Sequence, residues 1–188
     1  MSSDTVSDPE VVNAVFKNVN HIFSGGRPRT FANSVVSRLE FVDSTFKNNA
    51  VESQRREVSA TFKIVVDEDM CNASGNVHGG CSAFLIGMQT DIKSMLNCKT
   101  DHFLDVCSSV CIMALKVSQG GNGIDVSQSL NIVYHAPAAI GETLRVVNTT
   151  MAVGRRVASA RTEIWSETNR RLVASGVHIK MEPSSAKL

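Results

Sequence analysis

From residue 124 to residue 181 the chain repeats one pattern, and that pattern limits the possible folds more than any other feature. Between Arg156 and Ser166, Ala158, Ala160, Thr162 and Ile164 alternate with Ser159, Arg161 and Glu163. A period of two sends successive side chains to opposite faces, so the run predicts a strand in a sheet with one packed and one polar face. Ile124 to Tyr134 (stopped by His135-Ala-Pro137), Glu142 to Ala152 and Arg171 to Met181 read as further strands. Turn formers separate them at Val153-Gly154-Arg155 and Glu167-Thr-Asn-Arg170. Upstream, Val36 to Phe46 and Glu57 to Val66 are two more strand-like runs, with Lys47-Asn-Asn49 between them.

Helical spacing interrupts the strands. Val11, Val12, Val15 and Phe16 predict a helix over 8–18, with Asp8-Pro9 as N-cap and first-turn proline. Ala83, Phe84, Ile86, Met88 and Ile92 predict a buried helix from Gly79 to about Leu96. Phe103 to Val117 has Phe103, Cys107, Val110, Cys111 and Ala114 at helical spacing, while its Val and Ile content leaves a strand open. Strands, a long buried helix and then antiparallel strands predict an α+β fold with the helix against the sheet. The expected organisation is an N-terminal helical arm over 1–35, one domain over 36–182 and a flexible tail over 183–188.

Composition excludes several classes of function. At 188 residues the chain suits one domain with a sizeable core. Nineteen basic and 18 acidic residues leave a formal charge of +1, and one Trp and one Tyr offer no base-stacking platform. A nucleic-acid partner is therefore not expected. No apolar stretch of about twenty residues is present, so no membrane span is expected. The start, Met1-Ser-Ser-Asp-Thr-Val-Ser-Asp8, does not read as a signal peptide, and five cysteines without a Cys-x-x-Cys pair read as free thiols. The end is more telling. Ala186-Lys187-Leu188 is close to the Ser-Lys-Leu peroxisomal address, so a peroxisomal location and an import receptor are expected, or a cytoplasmic location if the tail is not read.

Chemistry concentrates in Asn72-Ala-Ser-Gly75-Asn-Val-His78-Gly79-Gly80, just ahead of an expected helix. The first backbone N–H groups of a helix lack internal partners, and the dipole adds positive charge there. Two glycines allow a ligand carbonyl to approach them, which makes an oxyanion site worth about 3 kcal/mol in acyl transfer. An ordinary glycine-rich turn is the bland alternative.

Asn-x-x-Gly-x-x-His-Gly-Gly opening a buried helix resembles the hotdog-fold acyl-CoA thioesterases of the phenylacetyl-CoA thioesterase (PaaI) type, in particular the thioesterase-superfamily-member-two branch. The resemblance runs from about Ala60 to Met181. It takes in Val126-Ser127, Leu130-Asn-Ile-Val-Tyr134, Pro137, Gly141, Gly154-Arg155 and Arg171-Leu-Val-Ala-Ser-Gly176 with His178 and Lys180. It implies a sheet wrapped around the helix, a homodimer or dimer of dimers, active sites between subunits, and acyl-CoA as substrate with no metal or cofactor. It also implies roles. The Gly79 N–H would polarise the thioester carbonyl, Asn72 and His78 would shape the pocket with Gly80, and Ser127 of a second subunit would orient the attacking water. Ser129, Tyr134, the turn containing Gly154, Arg155, Arg156 and Val157, and Met181 would line the acyl-CoA site.

The family usually has an acid eight residues after the first glycine of His-Gly-Gly, and here that position is Gly87. Asp91, four residues later on the same helix face, is the favoured substitute base, and Asp125, two residues before Ser127, is another. The stretch 98–123, with Phe103 to Val117 inside it, reads as an insert over the pocket. Six arginines between Arg145 and Arg171 face only Glu163 and Glu167 there, and Arg155 and Arg156 are the expected phosphate contacts. The resulting expectation is a thioester hydrolase, or alternatively a weak or inactive acyl-CoA binder. A serine hydrolase is not supported, because no Gly-x-Ser-x-Gly elbow occurs.

Overall fold

The computed structural model describes residues 10, 13, 15, 16, 32–87, 107–120 and 125–183. In chain order these form α1 (Asn33–Val36), β1 (Glu40–Asn48), β2 (Arg56–Val65), a 3-10 turn (Glu68–Met70), α2 (Gly79–Gly87), α3 (Cys107–Ser118), β3 (Val126–Tyr134), β4 (Thr143–Val153), β5 (Val157–Ser166) and β6 (Arg171–Met181). The strands make one antiparallel sheet in the order β1-β2-β4-β5-β6-β3. Consecutive strands β4, β5 and β6 pair as a meander, whereas β3 adds to the far side of β6 and becomes an edge.

The alternation read from the sequence sorts the faces. Val58, Ala60, Phe62 and Ile64 of β2, Leu144 and Val146 of β4, and Ala158, Ala160 and Ile164 of β5 are buried. Each fully buried large side chain contributes about 1.5–3 kcal/mol. The same face also holds buried polar groups, and these are satisfied within it. Thr162 Oγ1 donates to Asn148 Oδ1 at 2.6 Å, and the Val58 N–H donates to Thr150 Oγ1 at 2.9 Å.

The helix lying across β2, β4 and β5 is α3. Cys107, Ser108, Val110, Cys111, Ile112, Met113, Ala114 and Leu115 are all buried, so this helix is covered nearly all round. That corrects the reading of 103–117 as an insert over a pocket: its described part is a helix inside the core. Small side chains at Cys107, Ser108, Cys111 and Ala114 let it approach the sheet closely. The strand expected from Val36 starts at Glu40 instead. Val35, Val36 and Leu39 are buried, and a helical turn delivers all three to the core where an extended chain would point alternate ones away. Residues 10, 13, 15 and 16 are helical as expected, and Phe16 stacks on Phe41 with ring centroids 5.0 Å apart. Thus at least this part of the 1–35 arm belongs to the core. No helix among the described residues is long and apolar enough to cross a membrane.

Candidate active site

Backbone geometry, more than side-chain packing, builds the start of α2. Asn72 Oδ1 accepts the N–H groups of Ser74 (2.9 Å) and Asn76 (3.3 Å), closing a turn on its own following residues. Gly75 holds that turn at φ 71°, a left-handed value glycine adopts without strain. Bridges join Cys71 to Val77 and Asn76 to Ala139, and the His78 N–H donates to the Met70 carbonyl at 2.8 Å. The loop is therefore tied on both sides before the helix begins.

His78 Nδ1 accepts the Gly80 N–H at 2.9 Å. An accepting Nδ1 leaves Nε2 as the ring's donor towards the site. Among the described residues the Gly79 N–H has no acceptor, which leaves a donor at the positive end of α2 for an incoming carbonyl. Tyr134 closes the other side. Its hydroxyl donates to the Gly79 carbonyl at 3.0 Å, and a Cβ on Gly79 would meet the tyrosine at 3.3 Å. His78, Gly79, Gly80 and Tyr134 thus meet at the start of α2, while Asn72 closes the turn that leads into it. Cys81, next in line, is no rival nucleophile: burial, then Asp69 and Cys71, push its thiol up to about 11, so it is protonated at neutral pH.

The remaining expected residues gather at the opposite end of β3. Ser127 and Ser129 are exposed near its start. Met181 pairs with both Val126 and Val157, and the Gly154 N–H donates to the Val157 carbonyl at 2.9 Å, so the turn from β4 to β5 lies beside them. Arg155 and Arg156 are exposed there and form no ion pair among the described residues. Three neighbours in sequence are engaged: Arg145 with Glu167 at 3.9 Å, Arg171 with Glu142 at 3.2 Å, and Arg161 with Glu163. Seven residues of strand separate Ser127 from Tyr134, about 23 Å at roughly 3.3 Å per residue. Within one chain the Gly79 cluster and the Ser127 cluster do not meet.

The acids rearrange the expectation. A Cβ at Gly87 would lie 2.6 Å from Leu130 Cδ2, so an acid there has to displace Leu130. Asp125 is buried and takes Lys116 Nζ at 2.7 Å, an arrangement that neutralises it inside the protein and withholds it from a water. That removes Asp125 as a substitute base. Asp91 and the tail tripeptide lie outside the described residues.

Two features were missed in the sequence. Asp105 stands two residues ahead of α3 in the sequence and lies outside the described residues. Further, Ser108 Oγ meets His178 Nδ1 at 2.8 Å, and His178 Nε2 meets Ser127 Oγ at 2.9 Å. Burial alternates along β6 and puts His178 on the inner face, and nothing in the sequence names its partners.

The thioesterase superfamily model matches residues 102–173, taking in α3 and β3 to β5 and leaving out α2. Acyl-coenzyme A thioesterase 13 of Mus musculus is 29% identical over 115 residues, which is 61% of this chain and 66% of that protein. The chain thus matches a little under two-thirds of the length of that relative. The crystal structure of zebrafish thioesterase superfamily member 2 superposes with a TM-score of 0.64 at 24% identity, covering 88% of this chain and 96% of the other. That of thioesterase superfamily member 2 from Mus musculus gives 0.59 at 20% identity, covering 96% and 98%. The fold is the hotdog fold, an antiparallel sheet packed on a central helix. The resemblance read from the sequence is supported by these matches: the chain has the hotdog fold and is similar to thioesterase-superfamily proteins.

Proposed function

We propose that this protein hydrolyses acyl-CoA thioesters to a free fatty acid and CoA. The observation that carries the reading is the Gly79 N–H, left without an acceptor among the described residues at the start of α2 and framed by His78 and Tyr134. The thioester oxygen accepts that N–H, and a carboxylate takes a proton from water. The water oxygen attacks the carbonyl carbon, negative charge collects on the oxygen facing Gly79, and the C–S bond breaks as the CoA sulfur takes up a proton.

The base is proposed among two carboxylates. Asp91 is the substitute favoured from its position four residues beyond Gly87, and Asp105 joins it because α3, which it precedes, is the central helix. Ser127 is proposed to orient the water from a second copy of the chain. In support, β3 is a sheet edge, and antiparallel pairing of two such edges brings the Ser127 end of one strand towards the Gly79 end of the other. Val126, Leu130, Val133 and Tyr134 are exposed along it, an apolar edge suited to burial between copies. Ser129, Gly154, Arg155, Arg156, Val157 and Met181 are then proposed to hold the CoA moiety, with the two arginines on its phosphates. The Ala186-Lys187-Leu188 tail is proposed to direct the protein to peroxisomes through an import receptor.

The test is steady-state hydrolysis of a chain-length series of acyl-CoAs by the parent, Asp91→Asn and Asp105→Asn. The base should lose at least about a hundredfold in kcat. Two active Asn variants would refute both assignments. The second reading, an acyl-CoA binder that hydrolyses poorly, is favoured by Leu130 occupying the space an acid at Gly87 would need. It stands if the parent binds acyl-CoA without turnover and Gly87→Asp gains activity. Deleting the last three residues of a tagged protein should shift it to the cytosol.

A further inference from the structure

Ser127 sits exposed on β3, and directly behind it lies a fully buried imidazole. His178 is 0% exposed, yet both of its ring nitrogens are within hydrogen-bond distance of a serine: Nδ1 at 2.8 Å from Ser108 Oγ and Nε2 at 2.9 Å from Ser127 Oγ. The three groups come from three elements, α3, β6 and β3. A line of hydrogen bonds therefore runs from α3 through β6 to the edge strand β3.

We propose that His178, held by Ser108, is the positioning residue that sets the direction of the Ser127 hydroxyl. This rests on the hydrolase reading, which gives Ser127 the water. A serine hydroxyl on an exposed strand can occupy three staggered rotamers, and its proton can turn about the C–O bond. Each ring nitrogen is bonded to one serine, so rotating the ring breaks a buried hydrogen bond whichever nitrogen carries the proton. Ser108 fixes the ring against a helix packed on three strands, and the ring fixes Ser127. The hydroxyl is thereby aimed before any water or substrate arrives, which is what an orienting group must be to contribute to rate.

The geometry supplies a test that separates aiming from mere packing. An Asn side chain is short and places its amide near the position of Nδ1, keeping Ser108 and losing Ser127. A Gln side chain reaches the position of Nε2 and keeps Ser127. Hydrolysis of one acyl-CoA on which the parent turns over is measured for the parent, H178N and H178Q, with melting temperatures alongside. H178N is expected to lower kcat about 10–100-fold while KM moves less than about threefold, and H178Q to recover most of that loss. Equal kcat for two folded variants overturns the proposal. If H178Q does not fold, H178N is placed in a Ser127→Ala background. There it should cost almost nothing further, and a cost equal to that in the parent overturns the proposal equally. A parent without turnover on any acyl-CoA would instead sink the hydrolase reading, and that result is known before a variant is made.

Discussion

The two ends of β3 are built on different physical terms. At the Ser127 end the chain is anchored by buried polar side chains: the Lys116–Asp125 ion pair at 2.7 Å and the Ser108–His178–Ser127 line. At the Gly79 end almost everything is backbone. An Asn72 turn, two isolated bridges, a histidine nitrogen on the Gly80 N–H and a tyrosine hydroxyl on the Gly79 carbonyl place an exposed donor. Buried polar pairs hold position because breaking them exposes a charge or dipole to an apolar surrounding. Exposed backbone turns hold position through many weak bonds, each replaceable by water. The Lys116–Asp125 pair should therefore fail by unfolding, and the Gly79 end by losing alignment while the fold survives.

The sharpest way to break that contrast is Lys116→Ala. It leaves Asp125 buried without its cation, and Asp125 Oδ2 already lacks a partner among the described residues. About 3–5 kcal/mol of stability should be lost in urea denaturation. A loss below about 1 kcal/mol would show that water reaches Asp125, and the contrast between the two ends would fall. Asn72→Ala asks the converse question of the other end. Two exposed N–H groups lose an acceptor that water can replace, so stability should drop by only about 1 kcal/mol. The turnover number should fall further than that, since the Gly79 donor is no longer held; a large loss of melting temperature with kcat intact would reverse the assignment.

The smallest effect is acid sensitivity at the hinge of the Gly79 end. Burial pushes the Glu142 carboxyl up, but the Ala139 N–H, the Ser166 hydroxyl, Asn169 and Arg171 outweigh it and hold the group below its ordinary value of 4.5. Ala139 in turn bridges to Asn76. In the window below pH 4.5 the unfolded chain binds the proton more readily than the folded one. Glu142 therefore contributes its stability above that pH, and the contribution is lost as pH falls through the lowered folded value. Glu142→Gln should flatten stability against pH below 4.5 in thermal melts, and an unchanged slope would remove Glu142 as the source.

Much of the sheet could be read in advance, because strand periodicity is local. The alternation of Ala158, Ala160, Thr162 and Ile164 predicted β5 and its buried face, and the Asn72 to Gly80 run predicted a turn opening a helix. The helices were harder. Apolar residues fill both 79–96 and 103–117, and periodicity alone does not say which strands each packs against: α3 lies across β2, β4 and β5, and the described part of α2 meets β6, β3 and β5. Asp125 likewise reads as a free carboxylate until Lys116, nine residues away in sequence, is found to fold back onto it.

What the sequence determined by itself was the family resemblance, carried by motifs spread from about Ala60 to Met181, and the strands and the turn before α2, which rest on neighbours a few residues apart. What only the tertiary structure decided was which helix is central, that Asp125 is spent on an ion pair, and that Ser127 is backed by His178. Those depend on contacts between groups up to 70 positions apart, as with Ser108 and His178, which no local pattern encodes.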